Sequence, residues 1–124
     1  MMRKKLASLG MTALLLIGLA ATSQTVSAKE MSIQEIIAAG KKIAWNRRGG
    51  NCLACHVMDN GELPGNTAPA LMMMKQRYPD WNDLRAQIWD PRVRNPNAFM
   101  PPFGAHRILS EREIDLVTDY IHSL

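Results

Sequence analysis

Residues 50–56 read Gly-Asn-Cys-Leu-Ala-Cys-His, and this stretch decides how the rest of the chain is interpreted. Within it, Cys52, Cys55 and His56 form a C-x-x-C-H motif, the pattern typical of c-type haem attachment. The two-residue spacer lets both thiols reach the two vinyl groups of one porphyrin, while the next residue brings an imidazole beneath the iron. The motif therefore predicts one covalent haem c, bound through Cys52 and Cys55, with His56 as an axial iron ligand.

The same cysteines have other possible uses. Two cysteines in a small exported domain often form a disulfide, and a thioredoxin-type dithiol would need a preceding strand and a following helix. A structural zinc site would need further cysteines or histidines at ligand spacing. The chain has only two cysteines and no convincing strand. Covalent haem is thus favoured over a disulfide, a redox dithiol or zinc.

The N-terminus has the organisation of a secretory signal. Residues 3–5 are Arg-Lys-Lys, residues 6–21 are largely apolar, and residues 26–28 are Val-Ser-Ala, with small residues where a signal peptidase cuts. The apolar run is shorter than the roughly 20 residues that a membrane-spanning helix needs. We therefore predict a cleaved signal peptide over residues 1–28 and a periplasmic cytochrome c domain over residues 29–124.

The overall charge of the chain is misleading once this segment is set aside. The formal net charge is +4, with 15 basic and 11 acidic side chains. Three of the basic residues lie in the predicted signal, which contains no acidic residue, so the mature domain is nearly neutral. This argues against a nucleic-acid surface. We also expect no membrane span in the mature domain.

Helical patterns dominate the mature domain. Ser-x-x-Glu capping boxes at residues 32–35 and 110–113 predict the starts of a first helix, over about residues 32–45, and of a last helix. Between them, Asp80 can cap a helix of about ten residues that Pro91 ends. The sequence thus predicts an all-α domain with long loops, which are easier to explain if they wrap a cofactor.

The order of these elements resembles the class I cytochrome c fold. The resemblance implies three to five helices around one covalent haem. It implies that Gly40 lets the first helix approach Tyr120 of the last helix. It also implies that the Pro69 carbonyl accepts a hydrogen bond from Nδ1 of His56; an ordinary loop proline is the alternative.

Met100 is the predicted distal iron ligand. It lies far beyond His56, in the loop at residues 96–102, which contains three prolines that limit its conformations. His106 is the nearest rival, and it would give a lower reduction potential than His/Met ligation. The methionines at residues 72–74 are interpreted first as flexible apolar filling near the haem or a partner, and second as soft-metal ligands.

The C-terminal half resembles a narrower family. Residues 95–111, which include the Met-Pro-Pro-Phe-Gly run at 100–104, are similar to SoxX, the monohaem subunit family of the sulfur-oxidation complex SoxAX. Residues 50–56, 65–66 and 84–90 fit the same family. The resemblance implies a periplasmic electron-transfer subunit that forms a heterodimer with the SoxA cytochrome.

That complex, an L-cysteine S-thiosulfotransferase, oxidatively couples thiosulfate to a cysteine of the carrier protein SoxYZ. In the family, substrate chemistry belongs to SoxA, so the resemblance implies no catalytic residue in this chain and electron delivery to a downstream cytochrome. Two alternatives stay open: a freely diffusing class I cytochrome c shuttle, and a sensor or peroxidase-like haem protein with an easily vacated iron position.

Several charged residues have two interpretations. Arg47 and Arg48 could meet a haem propionate or an acidic partner surface. They could equally be exposed cations at a helix C-terminus. Asp115 and Asp119, opposite the apolar stripe of the last helix, are interpreted as a solvated face.

Overall fold

A computed structural model describes residues 30–124, and the predicted signal peptide lies outside these residues. The described part is all-α, with one isolated bridge between Met58 and Leu71 in place of a sheet. Its four α-helices are α1 (Ile33–Trp45), α2 (Met74–Arg77), α3 (Trp81–Trp89) and α4 (Glu111–His122), and two short 3₁₀ helices span Cys52–Ala54 and Pro91–Val93. The predicted fold class is confirmed.

The helix starts lie where the sequence predicts them. At α1 the Ser32 hydroxyl accepts from the Glu35 amide at 3.3 Å, and the Glu35 carboxylate accepts from the Ser32 amide at 2.7 Å. Ser110 and Glu113 make the same reciprocal pair at α4. The Asp80 carboxylate caps α3. Each pair satisfies amide groups that a helix N-terminus otherwise leaves without partners.

The first and last helices cross at Gly40, as the family resemblance implies. A Cβ on Gly40 would lie 2.8 Å from Cβ of Tyr120 and would collide with the Leu116 carbonyl, so only glycine permits this approach. Nearby, the Trp45 indole donates to the Tyr120 hydroxyl at 3.1 Å. Burial raises the pKa of Tyr120 to about 12.

The core forms where α4 faces the haem motif. It consists of buried apolar side chains from every α-helix and from the loops: Ala44, Met58, Met74, Leu84, Ile88, Phe103, Leu109, Ile114, Val117, Tyr120 and Ile121. The apolar stripe predicted for the last helix is therefore its buried face. Burial of this set is the main favourable term in folding the domain.

The acidic residues of α4 correct one prediction. Asp115 accepts from Arg85 Nε at 2.6 Å, and Asp119 accepts from the Trp81 indole at 2.8 Å. The expectation of a merely solvated face was wrong, because the polar side of α4 is where α3 attaches. Helical periodicity identifies the apolar stripe of one helix but not the neighbour that lies against its polar side.

Helix α2 is absent from the sequence-based prediction, because four residues are too few for a periodic signal. It is fixed by its neighbours: Met74 is 1% exposed, and its amide donates to the Leu124 carbonyl at 2.9 Å. Nε2 of His122 donates a hydrogen bond to the Tyr78 carbonyl at 2.9 Å, so this histidine has a structural role. Over residues 30–124, no helix is long and apolar enough to cross a membrane.

Candidate functional site

The haem motif folds into a tight turn directly after α1. Asn51 adopts the left-handed conformation at φ 47°, and the amide of His56 then donates to the Cys52 carbonyl at 2.9 Å. Both cysteines are partly buried, and their thiols are not bonded to each other. Burial raises the pKa of the Cys52 thiol to about 11. The turn presents both thiols and the imidazole from one short segment.

Pro69 holds the ring of His56. Nδ1 of His56 lies 2.6 Å from the Pro69 carbonyl oxygen, and since a carbonyl can only accept, Nδ1 carries the proton. Nε2 is therefore the ring atom available for a metal, and the hydrogen bond raises its basicity. The structure contains the hydrogen bond that the family resemblance implies for Pro69, and the role of this bond beside an axial ligand stays a prediction.

The segment carrying Pro69 is tied to the motif by its backbone. The Ala68 amide donates to the Cys55 carbonyl at 3.1 Å, and the Leu71 amide donates to the Val57 carbonyl at 2.8 Å. We call residues 52–71 the proximal wall. At Gly65, a Cβ would collide with the backbone carbonyl of Ala54, so the two halves of this wall approach at a glycine.

Opposite lies a second segment, residues 95–109, which we call the distal wall. The Ala98 amide donates to the Asn95 carbonyl at 2.8 Å, forming a turn just before Met100. Gly104 packs against the Trp89 indole, where a Cβ would collide with the ring. Its amide also donates to the Trp89 carbonyl at 3.1 Å. No local pattern in the sequence indicates that Trp89 anchors this loop.

Between the walls lies a cleft made of two adjoining cavities of about 360 and 330 Å³. Both cavities are lined by the same central residues: Cys52, His56, Thr67, Ala68, Phe99, Met100 and Phe103. Dimensions of this order and a mostly apolar lining are typical of cofactor sites. The fold thus brings His56 and Met100 to one cleft from distant parts of the chain.

The alternative ligands lie elsewhere. His106 is exposed, and over residues 30–124 it lines neither cavity. The methionine run divides: Met74 is core, whereas Met72 and Met73 are exposed. Met74 therefore has the apolar packing role predicted first for this run. Within the described residues, no three His, Cys, Asp or Glu side chains gather as a metal site.

The donor set of the cleft fits haem c. Two thiols at one edge can form thioethers, and the imidazole and thioether of His56 and Met100 are suitable axial ligands. The deeper cavity is lined by apolar side chains of the core, including Leu84, Ile88 and Val117, which suit a porphyrin face. Arg47 and Arg48 border the other cavity. The assignment of the individual ligands stays a prediction from the motif and this geometry.

Comparison with known proteins supports the same conclusion. The family model described as cytochrome c matches residues 37–124, which contain most of α1, both walls of the cleft and all of α4. A comparison with curated proteins gave no match. The family match implies electron transfer and a covalent haem c, and it does not distinguish SoxX from other members. The chain belongs to the cytochrome c family.

Proposed function

We propose that this protein is a periplasmic monohaem electron-transfer subunit of SoxX type, paired with a SoxA cytochrome. The observation that carries the proposal is the role of residues 95–111. The run that resembles SoxX forms the distal wall, with Met100 in the cleft and Phe103 and Leu109 buried in the core. The most specific part of the resemblance thus forms one wall of the cofactor site. Cytochrome c domains are also usually found outside the cytoplasm, which agrees with the predicted signal peptide.

The residues of the cleft have separate roles in the proposed electron carrier. Bound haem supplies reversible one-electron chemistry at iron. Cys52 and Cys55 would hold the group through thioether bonds. The Pro69 carbonyl accepts from Nδ1 of His56, which leaves Nε2 as the nitrogen that would bind the iron. The apolar lining of the cleft excludes water, which limits reorganisation when the charge changes.

The proposed reaction is completed outside this chain. Coupling of a carrier thiol to thiosulfate forms one sulfur–sulfur bond and releases two electrons and one proton. A single haem accepts one electron at a time, so this subunit would pass them on in two successive transfers to a downstream cytochrome. The bond-forming step is assigned to SoxA acting on SoxYZ, and this chain takes part in the enzyme only as the electron exit.

The mouth of the cleft supports a protein partner. Phe99, directly before Met100, is 93% exposed, and Ile108 is also exposed beside the same cavity. Arg47 and Arg48 border that cavity, and over residues 30–124 neither guanidinium has an ion-pair partner. An apolar centre with an arginine rim fits a partner that is apolar in the middle and acidic at its edge.

Gel filtration with purified SoxA tests the proposal. We expect a 1:1 complex that reduces this haem when thiosulfate and SoxYZ are added. Phe99→Ser should weaken the complex at least tenfold, because it removes an apolar side chain from the centre of the proposed interface. Val93→Ser is the matched control, since Val93 is equally exposed, at 84%, but lies outside the cleft.

The result that would contradict this proposal is a chain that stays monomeric with SoxA, yet exchanges electrons rapidly with soluble cytochromes. That outcome would favour the freely diffusing shuttle. If both variants weakened the complex equally, the complex would still be supported, but its interface could not be assigned to the cleft mouth.

A further inference from the structure

Arg77, the last residue of α2, lies against the segment that orients His56. Its Nη1 donates to the Ala70 carbonyl at 2.7 Å, and Ala70 follows Pro69, whose own carbonyl accepts from His56. The same Nη1 lies 3.5 Å from the sulfur of Met74. Two consecutive carbonyls are therefore held by two different side chains.

Helix α2, which carries Arg77, is itself held in place by its neighbours. Met74 is buried, and its amide is bonded to the C-terminal residue Leu124. The Arg77 amide donates to the Met73 carbonyl at 3.2 Å, which fixes the end of the helix from which the side chain extends. Arg77 thus links α2 and the end of α4 to the proximal wall.

We propose that Arg77 is a positioning residue for the axial histidine, acting through the peptide units on either side of Ala70. The flanking amides of Ala68 and Leu71 are already bonded to the motif. The Ala70 carbonyl and the Leu71 amide belong to one planar peptide unit. Val57 holds the amide end of this unit, and Arg77 holds its carbonyl end. With both ends of that unit held, rotation of the adjoining Pro69–Ala70 peptide unit is restricted, which favours the short hydrogen bond between the Pro69 carbonyl and Nδ1 of His56.

The predicted consequence is electronic as well as geometric. A strong hydrogen bond from Nδ1 makes the imidazole a more basic ligand and stabilises ferric iron. Weakening it should raise the reduction potential. The inference rests on the proposed role of His56 as an axial ligand, and it concerns how firmly that ligand is held.

Arg77→Lys tests the inference while keeping the positive charge, because a lysine has a single flexible ammonium in place of the planar guanidinium. We expect a higher midpoint potential and several-fold faster solvent exchange of the His56 Nδ1 proton, followed by NMR. Arg77→Gln, which also removes the charge, should speed the same exchange. Lys75→Gln is the control, since Lys75 is exposed on the same helix, and it should change neither quantity.

A purely structural role would lower the melting temperature of both Arg77 variants without changing the potential or the proton exchange of Arg77→Lys, and this would overturn the inference. An equal change of the midpoint potential and of the proton exchange in Lys75→Gln would also overturn the inference. The effect would then come from loss of a positive charge on α2 and not from the contact with Ala70. Absence of an axial-histidine signal in the wild-type ferric protein is a separate failure, because it would reject the ligand assignment itself.

Discussion

The proximal wall orients its candidate ligand with a hydrogen bond to the His56 side chain, whereas the distal wall places Met100 through the fold of its loop. Proximally, the segment around Pro69 is bonded to the haem motif at Cys55 and Val57 and pairs with His56. Distally, backbone hydrogen bonds from Gly104 to Trp89 and from Leu109 to Phe103 fold the loop, and the Phe103 and Leu109 side chains are buried. Within residues 30–124 the Met100 side chain itself makes no hydrogen bond.

This difference suits the two ligands. An imidazole needs a defined ring orientation, and its Nδ1 requires an acceptor, so directional hydrogen bonds set it. A thioether has no such requirement and needs only to be held near the iron, which packing and prolines achieve. We therefore expect the proximal wall to tolerate substitutions less well than the distal wall.

Alanine at the glycine of each wall tests this most strongly. Gly65→Ala should be the more damaging, destabilising the protein by about 3 kcal/mol, because its Cβ meets the Ala54 backbone, which cannot move aside. Gly104→Ala should cost about 1–2 kcal/mol, since its Cβ meets the Trp89 ring, a side chain that can shift. Thermal unfolding of the holoprotein measures both.

Gly49→Ala is the control for that pair. Its Cβ would lie 3.3 Å from the amide nitrogen of the Asn46 side chain, which can rotate, so we expect a change close to zero. A larger loss of stability for Gly104→Ala than for Gly65→Ala would reverse the proposed order of the two walls.

The same contrast explains what the sequence could predict. The proximal wall was predictable in its essentials, because Cys52, Cys55 and His56 are adjacent in the chain and their spacing carries the chemistry. The capped helices were predictable for the same reason, since a capping box is complete within four residues. The pairing of His56 with Pro69 came from the family resemblance, and the structure contains it.

What could not be predicted depends on contacts between residues far apart in sequence. Trp89 beneath Gly104 and Arg77 on Ala70 leave no local pattern. The attachment of α3 to the polar side of α4 was missed because hydrophobic periodicity does not report polar contacts such as Arg85 with Asp115.

A smaller effect concerns the helix that supports both walls. Hydrogen bonds from the Ser110 backbone and hydroxyl hold the pKa of Glu113 below its model-peptide value of 4.5. Because the folded pKa is lower than the unfolded one, the capping box contributes its stability above pH 4.5 and loses it as the pH falls through the folded pKa.

Glu113→Gln should therefore flatten the loss of stability on acidification below pH 4.5, as measured by urea unfolding at a series of pH values. Glutamine can still accept from the Ser110 amide but does not titrate, which keeps the cap. Glu62→Gln, at an exposed loop position, is the control. Identical acid profiles for wild type and Glu113→Gln would show that the capping box does not contribute to acid sensitivity.

The central proposal is that His56 and Met100 bind the same iron from opposite walls of the cleft. The most direct measurement is the red-edge absorption band of the ferric protein that reports an iron–thioether bond. We expect this band in the wild type and in Met73→Ala, whose methionine is exposed, and its complete loss in Met100→Ala. Survival of the band in Met100→Ala, or its absence from the wild type, would contradict the claim.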